Sequence, residues 1–133
     1  MKKQINTDKL VYADLTYKVR GCIFNVYNTL GYGHKEQVYQ KALEKELNDQ
    51  KVPVKREVSL KVLYKDEKVG NYRPDFVVDD KAIIEIKAVE FMPKSYEQQL
   101  LHYLKSTNFE LGLLVNFGRP KLEIKRLVWT KTM

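Results

Sequence analysis

Tyr72-Arg73-Pro74-Asp75-Phe76-Val77-Val78-Asp79-Asp80-Lys81-Ala82-Ile83-Ile84-Glu85-Ile86-Lys87 sets two apolar runs, 76–78 and 82–84, on either side of a polar Asp79-Asp80-Lys81. That pattern reads as a β-hairpin. Asp75, Glu85 and Lys87 flank the apolar runs, where a plain core strand has no use for charge. Side chains alternate faces along a strand, so Glu85 and Lys87 point the same way. The place of Asp75 depends on the turn. A two-residue loop at Asp79-Asp80 pairs Asp75 with Ile84 and sends the two acids to opposite faces. A three-residue loop pairs Asp75 with Glu85 and Arg73 with Lys87. One face then carries Arg73, Asp75, Val77, Ile83, Glu85 and Lys87, too charged for core. The other, with Phe76, Val78, Ala82, Ile84 and Ile86, is a clean core surface.

Paired carboxylates on rigid strands suit a hard divalent cation such as Mg²⁺, which prefers oxygen ligands and keeps several waters. A lysine beside it can orient or help deprotonate a water, or steady a negatively charged phosphate. Metal-assisted phosphodiester hydrolysis needs such a set. The competing reading of an isolated Glu-x-Lys is a solvated hairpin face with a cross-strand acid–lysine pair.

A chain of 133 residues is most simply one domain, 1–133, large enough for a core. With 44% hydrophobic and 31% charged residues it has an ordinary globular composition. No apolar run approaches the roughly 20 residues that span a bilayer. Met1-Lys2-Lys3-Gln4-Ile5-Asn6 has no apolar stretch behind its lysines, so no secretory signal is visible and a cytoplasmic location is expected. The single cysteine, Cys22, excludes an intrachain disulfide and falls in an apolar helical stripe, as a core residue would. A formal charge of +7 and a pI near 9.4 favour a polyanionic partner.

Apolar residues at Leu15, Val19, Cys22, Val26 and Leu30 predict a helix from about residue 7, capped by Thr7 or Asp8 and stopped at Gly31. A second helix is predicted over about 35–50, burying Val38, Tyr39, Ala42, Leu43 and Leu47. Alternation from Val52 to Tyr64 predicts one long half-buried strand, broken only by Arg56. The turn at residues 65–68 leads to Val69–Tyr72, so three consecutive antiparallel strands are expected. Ser95-Tyr96-Glu97-Gln98 has capping-box spacing and predicts a helix to about Lys105. Leu111–Val115 reads as a buried strand and Leu122–Trp129 as a last one. The order α-α-β-β-β-α-β-β describes one α/β domain with a mixed sheet.

Three further pieces stand apart. Glu36 shares a helix side with Tyr39 and Leu43, although a first-turn glutamate also suits the helix dipole. Gln99 and Tyr103 lie one turn apart on one face, which also fits a polar flank beside a core aromatic. His102 has no assigned chemistry. Pro74-Asp75 followed by Glu85-x-Lys87 resembles the signature of the PD-(D/E)xK nuclease superfamily. Gln99-x-x-x-Tyr103 resembles an added motif of its exonuclease-like branch. Gly33-x-x-Glu36-x-x-Tyr39 is similar to the motif naming the GxxExxY protein family within it. Leu15–Val19, Leu30-Gly31, Tyr72–Asp75 and Leu111–Gly118 extend the likeness, in order, from about Asp14 to Trp129.

The resemblance implies a restriction-endonuclease-like α/β fold, a mixed central sheet flanked by helices with an αβββαβ core. It implies that Asp75 and Glu85 hold Mg²⁺ or Mn²⁺, with the main-chain carbonyl of Ile86 a further ligand. Glu36 is implied as a third acid, directly or through water, Lys87 as the residue that positions or activates the attacking water, and Gln99 as an orienting group. Tyr103 packs or contacts substrate, and Arg73, opposite Lys87 in the three-residue register, is a candidate phosphate contact. The expected activity is a metal-dependent nuclease acting on nucleic acid, DNA first. The alternative is a nucleic-acid-binding or protein-interaction module that keeps the fold without cleaving. So small a chain leaves little room for a substrate-recognition domain, so a homodimer or a protein partner is the expected supplement.

Overall fold

Two helices open the described part of the chain, and both form for the reason their periodicity gives. The computed structural model describes residues 12–130; the proposed caps Thr7 and Asp8 lie outside them. Helix α1 (Ala13–Leu30) buries Val19, Cys22, Ile23 and Val26 along one stripe. It ends where Gly31 turns to φ 68°, its N–H bonding the Tyr27 carbonyl at 2.8 Å, a conformation glycine adopts without steric cost. Gly33, at φ 103°, completes the reversal into α2 (Glu36–Asp49), which buries Tyr39, Leu43 and Leu47. Val38 and Ala42, expected inside, are less covered because they fall at the margins of that stripe.

The long strand predicted over residues 52–64 does not form as one piece. It splits into β1 (Val54–Arg56) and β2 (Leu60–Tyr64). Between them Glu57 takes φ 58°, a left-handed conformation that breaks extension, and hydrophobic alternation cannot reveal it. β2 pairs antiparallel with β3 (Glu67–Tyr72) as a separate two-stranded ribbon. β1 instead pairs with β4 (Phe76–Val78), the first strand of the hairpin. The expected run of three consecutive antiparallel strands is therefore corrected: β3 ends at Arg73-Pro74, and a proline has no N–H to carry a ladder onward.

The main sheet has the order β1-β4-β5-β6-β7, with β5 spanning Ala82–Lys87, β6 Leu111–Asn116 and β7 Glu123–Val128. β5 and β6 are parallel and joined through α3 (Lys94–Ser106); the other neighbours are antiparallel. α3 starts after Pro93 and no side chain caps it, so the predicted capping box at Ser95 is not used. The pre-set φ of Pro93 supplies the entry in its place.

Both faces of the sheet are covered. Phe76, Val78, Ile84, Ile86, Leu113 and Val115 pack under α1 and α2. Ile83 and Leu114 pack on the other face under Leu100 and Leu104 of α3, joined by Tyr72 from the ribbon. Each such side chain taken fully from water contributes about 1.5–3 kcal/mol. Toward the C-terminal end of β5 the second face is less covered, and Glu85 and Lys87 are only partly buried there.

Candidate active site

The register that brings the acids together is set at the tip of the hairpin. Asp79 and Asp80 both take left-handed φ values, 53° and 51°, and the Lys81 N–H bonds the Val78 carbonyl at 3.0 Å. Aspartate tolerates that region better than most residues with a Cβ. The Asp79 N–H is anchored on the Pro53 carbonyl at 2.7 Å. Val78 then faces Ala82, Val77 faces Ile83 and Phe76 faces Ile84, a three-residue loop. Continued by one pair, this register sets Asp75 opposite Glu85.

Past Phe76 the backbone ladder gives way to side chains. The Ile86 N–H donates to Asp75 Oδ2 at 2.7 Å, and the Asp75 N–H donates to Glu85 Oε1 at 2.8 Å. Each acid thus holds a backbone amide of the opposing segment, which fixes both carboxylates and leaves each a second oxygen. A carboxylate accepting a backbone N–H makes a stronger bond than a neutral acceptor would.

Two like charges held this close in a half-buried place disfavour full ionisation. Burial, then the charge of Asp75, pushes the Glu85 carboxyl up to about 7, against the opposing pull of the Asp75 amide and Lys87. Glu36 is raised in the same direction, by burial first and by Asp75 second, with Lys87 lowering it. Tyr72 is raised by burial and then by Glu85. Because the folded value of Glu85 lies above its ordinary 4.5, its contribution to stability is present below about pH 4.5 and lost as pH rises through about 7. Thermal melts in EDTA should therefore show the protein less stable at pH 8 than at pH 5 on this account, and Glu85→Gln should flatten that decline. A bound cation should restore stability at pH 8, since it favours the charged form.

Lys87 ends β5 on the same face as Glu85, its Nζ 4.8 Å from the centre of the Tyr96 ring. Glu36 stands at the N-terminus of α2, accepting a long 3.4 Å bond from Gln40 Nε2, within electrostatic reach of Asp75 and Lys87. Gln99 and Tyr103 of α3 line a cleft of about 90 Å³ with Glu85, Lys87 and Tyr72. Tyr103 stacks on Tyr72, ring centres 3.7 Å apart and 5° from parallel. Arg73 is exposed at the flank. Ile86 contributes its N–H to the site through Asp75. Among the described residues no three His, Cys, Asp or Glu side chains gather into a metal-holding group. The donor set is thus two carboxylates with Glu36 set back, a sparse oxygen site of the kind that suits Mg²⁺ with its retained waters.

Two residues of this region fall in the stretches that carry the likeness but have no role of their own in the sequence reading. Tyr72 is only 7% exposed, and its hydroxyl, beside Glu85, meets no partner in hydrogen-bond geometry. Asn116, fully buried at the end of β6, bonds Val89 twice, N–H to Oδ1 and Nδ2 to carbonyl, both at 3.0 Å. A polar residue closing an apolar run was the available signal for Asn116.

A five-stranded mixed sheet with helices on both faces, and two carboxylates and a lysine at one end of its central hairpin, defines a restriction-endonuclease-like protein. The family model of the PD-(D/E)XK nuclease superfamily matches residues 13–127, and the chain belongs to that superfamily. No curated protein and no solved structure matches it. No helix among the described residues is long and apolar enough to cross a membrane.

Proposed function

We propose that this chain is a divalent-metal-dependent nuclease that hydrolyses phosphodiester bonds, with DNA its first substrate, and that residues 1–133 form one domain of the GxxExxY type. The observation that carries the reading is the reciprocal pair of bonds by which Asp75 and Glu85 each hold the other segment's amide, with Lys87 on the same face. A structural hairpin gains nothing from two like charges locked side by side; a cation site does.

Asp75 and Glu85 would hold Mg²⁺ or Mn²⁺, with the Ile86 carbonyl and Glu36, directly or through water, as further oxygen donors. When bound, the cation polarises a phosphoryl oxygen and lowers the pKa of a water. Lys87 orients the attacking water and balances the charge that develops on the phosphate. Its contact with the Tyr96 ring limits where the ammonium travels. Gln99 and Tyr103 shape the cleft beside the scissile group, and Arg73 meets a flanking phosphate.

Pure protein incubated with single-stranded, duplex and branched DNA and RNA should cleave at least one of them with Mg²⁺ or Mn²⁺ and none in EDTA. Binding that persists without metal, with no cleavage on any member of the panel, would establish the non-catalytic module in its place.

A further inference from the structure

Three loops meet at the end of the sheet where the acids lie, and the structure ties them to one another. The Tyr39 hydroxyl donates to the Gly31 carbonyl at 2.6 Å and accepts the His34 N–H at 3.2 Å, holding the loop at residues 31–35. The Tyr39 ring stacks on Phe117, centres 4.4 Å apart. The Phe117 N–H bonds the Lys87 carbonyl at 2.8 Å, and Asn116 clamps Val89. Tyr27 donates its hydroxyl to the Pro120 carbonyl. The loops at 31–35, 88–93 and 117–122 are thus one connected rim.

That rim carries an unusual surface. Tyr32, four residues before Glu36, is 54% exposed, and Phe91, four residues after Lys87, is 74% exposed. Around them Lys35, Lys94, Arg119 and Lys121 are all exposed, and Glu90 is the one acid in these loops and at the start of α3 up to Lys94. A large ring left in water on each of two loops that lead into the site has no use in packing. Exposed rings among a local excess of cations match the chemistry of an unpaired nucleic-acid strand, whose bases offer faces to stack and whose phosphates need positive charge. A closed duplex would present only its backbone to such a rim.

We propose that this rim is a landing site for single-stranded nucleic acid, in which Tyr32 and Phe91 stack unpaired bases on either side of the scissile phosphate while the four cations hold the backbone. This rests on the nuclease reading for its orientation, and it names the substrate class: strands that are unpaired at the point of cleavage.

The test is fluorescence anisotropy in EDTA, where nothing is cut, with equal-length single-stranded DNA, single-stranded RNA and blunt duplex DNA. Single strands should bind about tenfold more tightly than duplex, and the two single-stranded arms show whether DNA or RNA is preferred. Tyr32→Ala and Phe91→Ala should each weaken single-strand binding roughly tenfold, leave duplex binding unchanged, and leave the melting temperature alone. Phe91→Trp should keep the affinity, since any aromatic face can stack. Equal binding of duplex, or alanine variants that bind like the parent, would overturn the proposal. Parallel cleavage with Mg²⁺ or Mn²⁺ separates the two ideas. Metal-dependent cleavage with aromatic-independent binding removes the landing site and keeps the nuclease. Aromatic-dependent binding without cleavage does the reverse.

Discussion

Asp75→Asn and Glu85→Gln should each lose metal-dependent cleavage by at least about a thousandfold, the scale of removing the charge that anchors a catalytic cation. Both amides can keep the structural bond their acid makes. An asparagine oxygen still accepts the Ile86 N–H, and a glutamine oxygen still accepts the Asp75 N–H. Asp75→Asn removes the neighbouring charge that, after burial, raises the Glu85 carboxyl, and Glu85→Gln removes that carboxyl altogether. The metal-free variants should therefore melt no lower than the parent at pH 8, which separates lost chemistry from lost fold. Lys87→Ala should retain metal affinity yet lose about a hundredfold in turnover if, as proposed, the lysine serves the water and the phosphate. Glu36→Gln should weaken metal occupancy to an intermediate degree. Cleavage rates paired with calorimetric metal titration check all four, and full activity in Asp75→Asn would refute the assignment.

Gly118→Ala should cost about 3 kcal/mol, or roughly 10 °C in melting temperature for a chain of this size. A Cβ at this position would overlap the backbone N and O of Val89 and lie 2.6 Å from the Ala88 carbonyl carbon. Those atoms are backbone and cannot rotate away. The same segments carry the Asn116 clamp, in which Oδ1 receives both the Val89 and the Gly118 N–H at 3.0 Å. Separating them would also disturb the bond from Phe117 N–H to the Lys87 carbonyl. Activity should fall further than stability explains at temperatures well below the melt. Gly112→Ala is the control. Its Cβ meets only Leu100 side-chain atoms at 3.1–3.3 Å, which can yield by a few tenths of an ångström.

Periodicity exposed the helices, the buried strand at Leu111–Asn116 and the hairpin, because each follows the 3.6 or 2.0 spacing that burial imposes. It could not choose between two loop lengths. That choice lay in the backbone of Asp79 and Asp80, and no hydrophobic pattern encodes the sign of φ. The same blindness hid the end of the strand at Glu57, where apolar alternation resumes after Arg56 although the backbone turns to a left-handed φ of 58°. Asp75, Glu85 and Lys87 were legible as charges out of place in a strand. Glu36, one charge at a helix start, could be placed beside them only by resemblance. The role of Tyr72 was not legible because Pro74 interrupts the alternation that would have assigned it a face, and its partner Tyr103 lies 31 residues away in sequence.

The separate ribbon of β2 and β3 gives the molecule two mechanical grades. A lone two-stranded ribbon is marginal in water, so this one depends on Leu60, Val62 and the Tyr72–Tyr103 stack for its hold on the body. The carboxylates, by contrast, are fastened to β5, whose Ile83, Ile84 and Ile86 are wholly buried. Local opening favours segments with few buried apolar contacts, so the ribbon loosens at far lower free energy than the central strands. Tyr72, at its end, walls the cleft behind Glu85. The wall of the cleft can therefore loosen while Glu85, carried on a buried central strand, stays in place, so that a polymeric substrate of the proposed nuclease would enter without the charged centre being rebuilt each time.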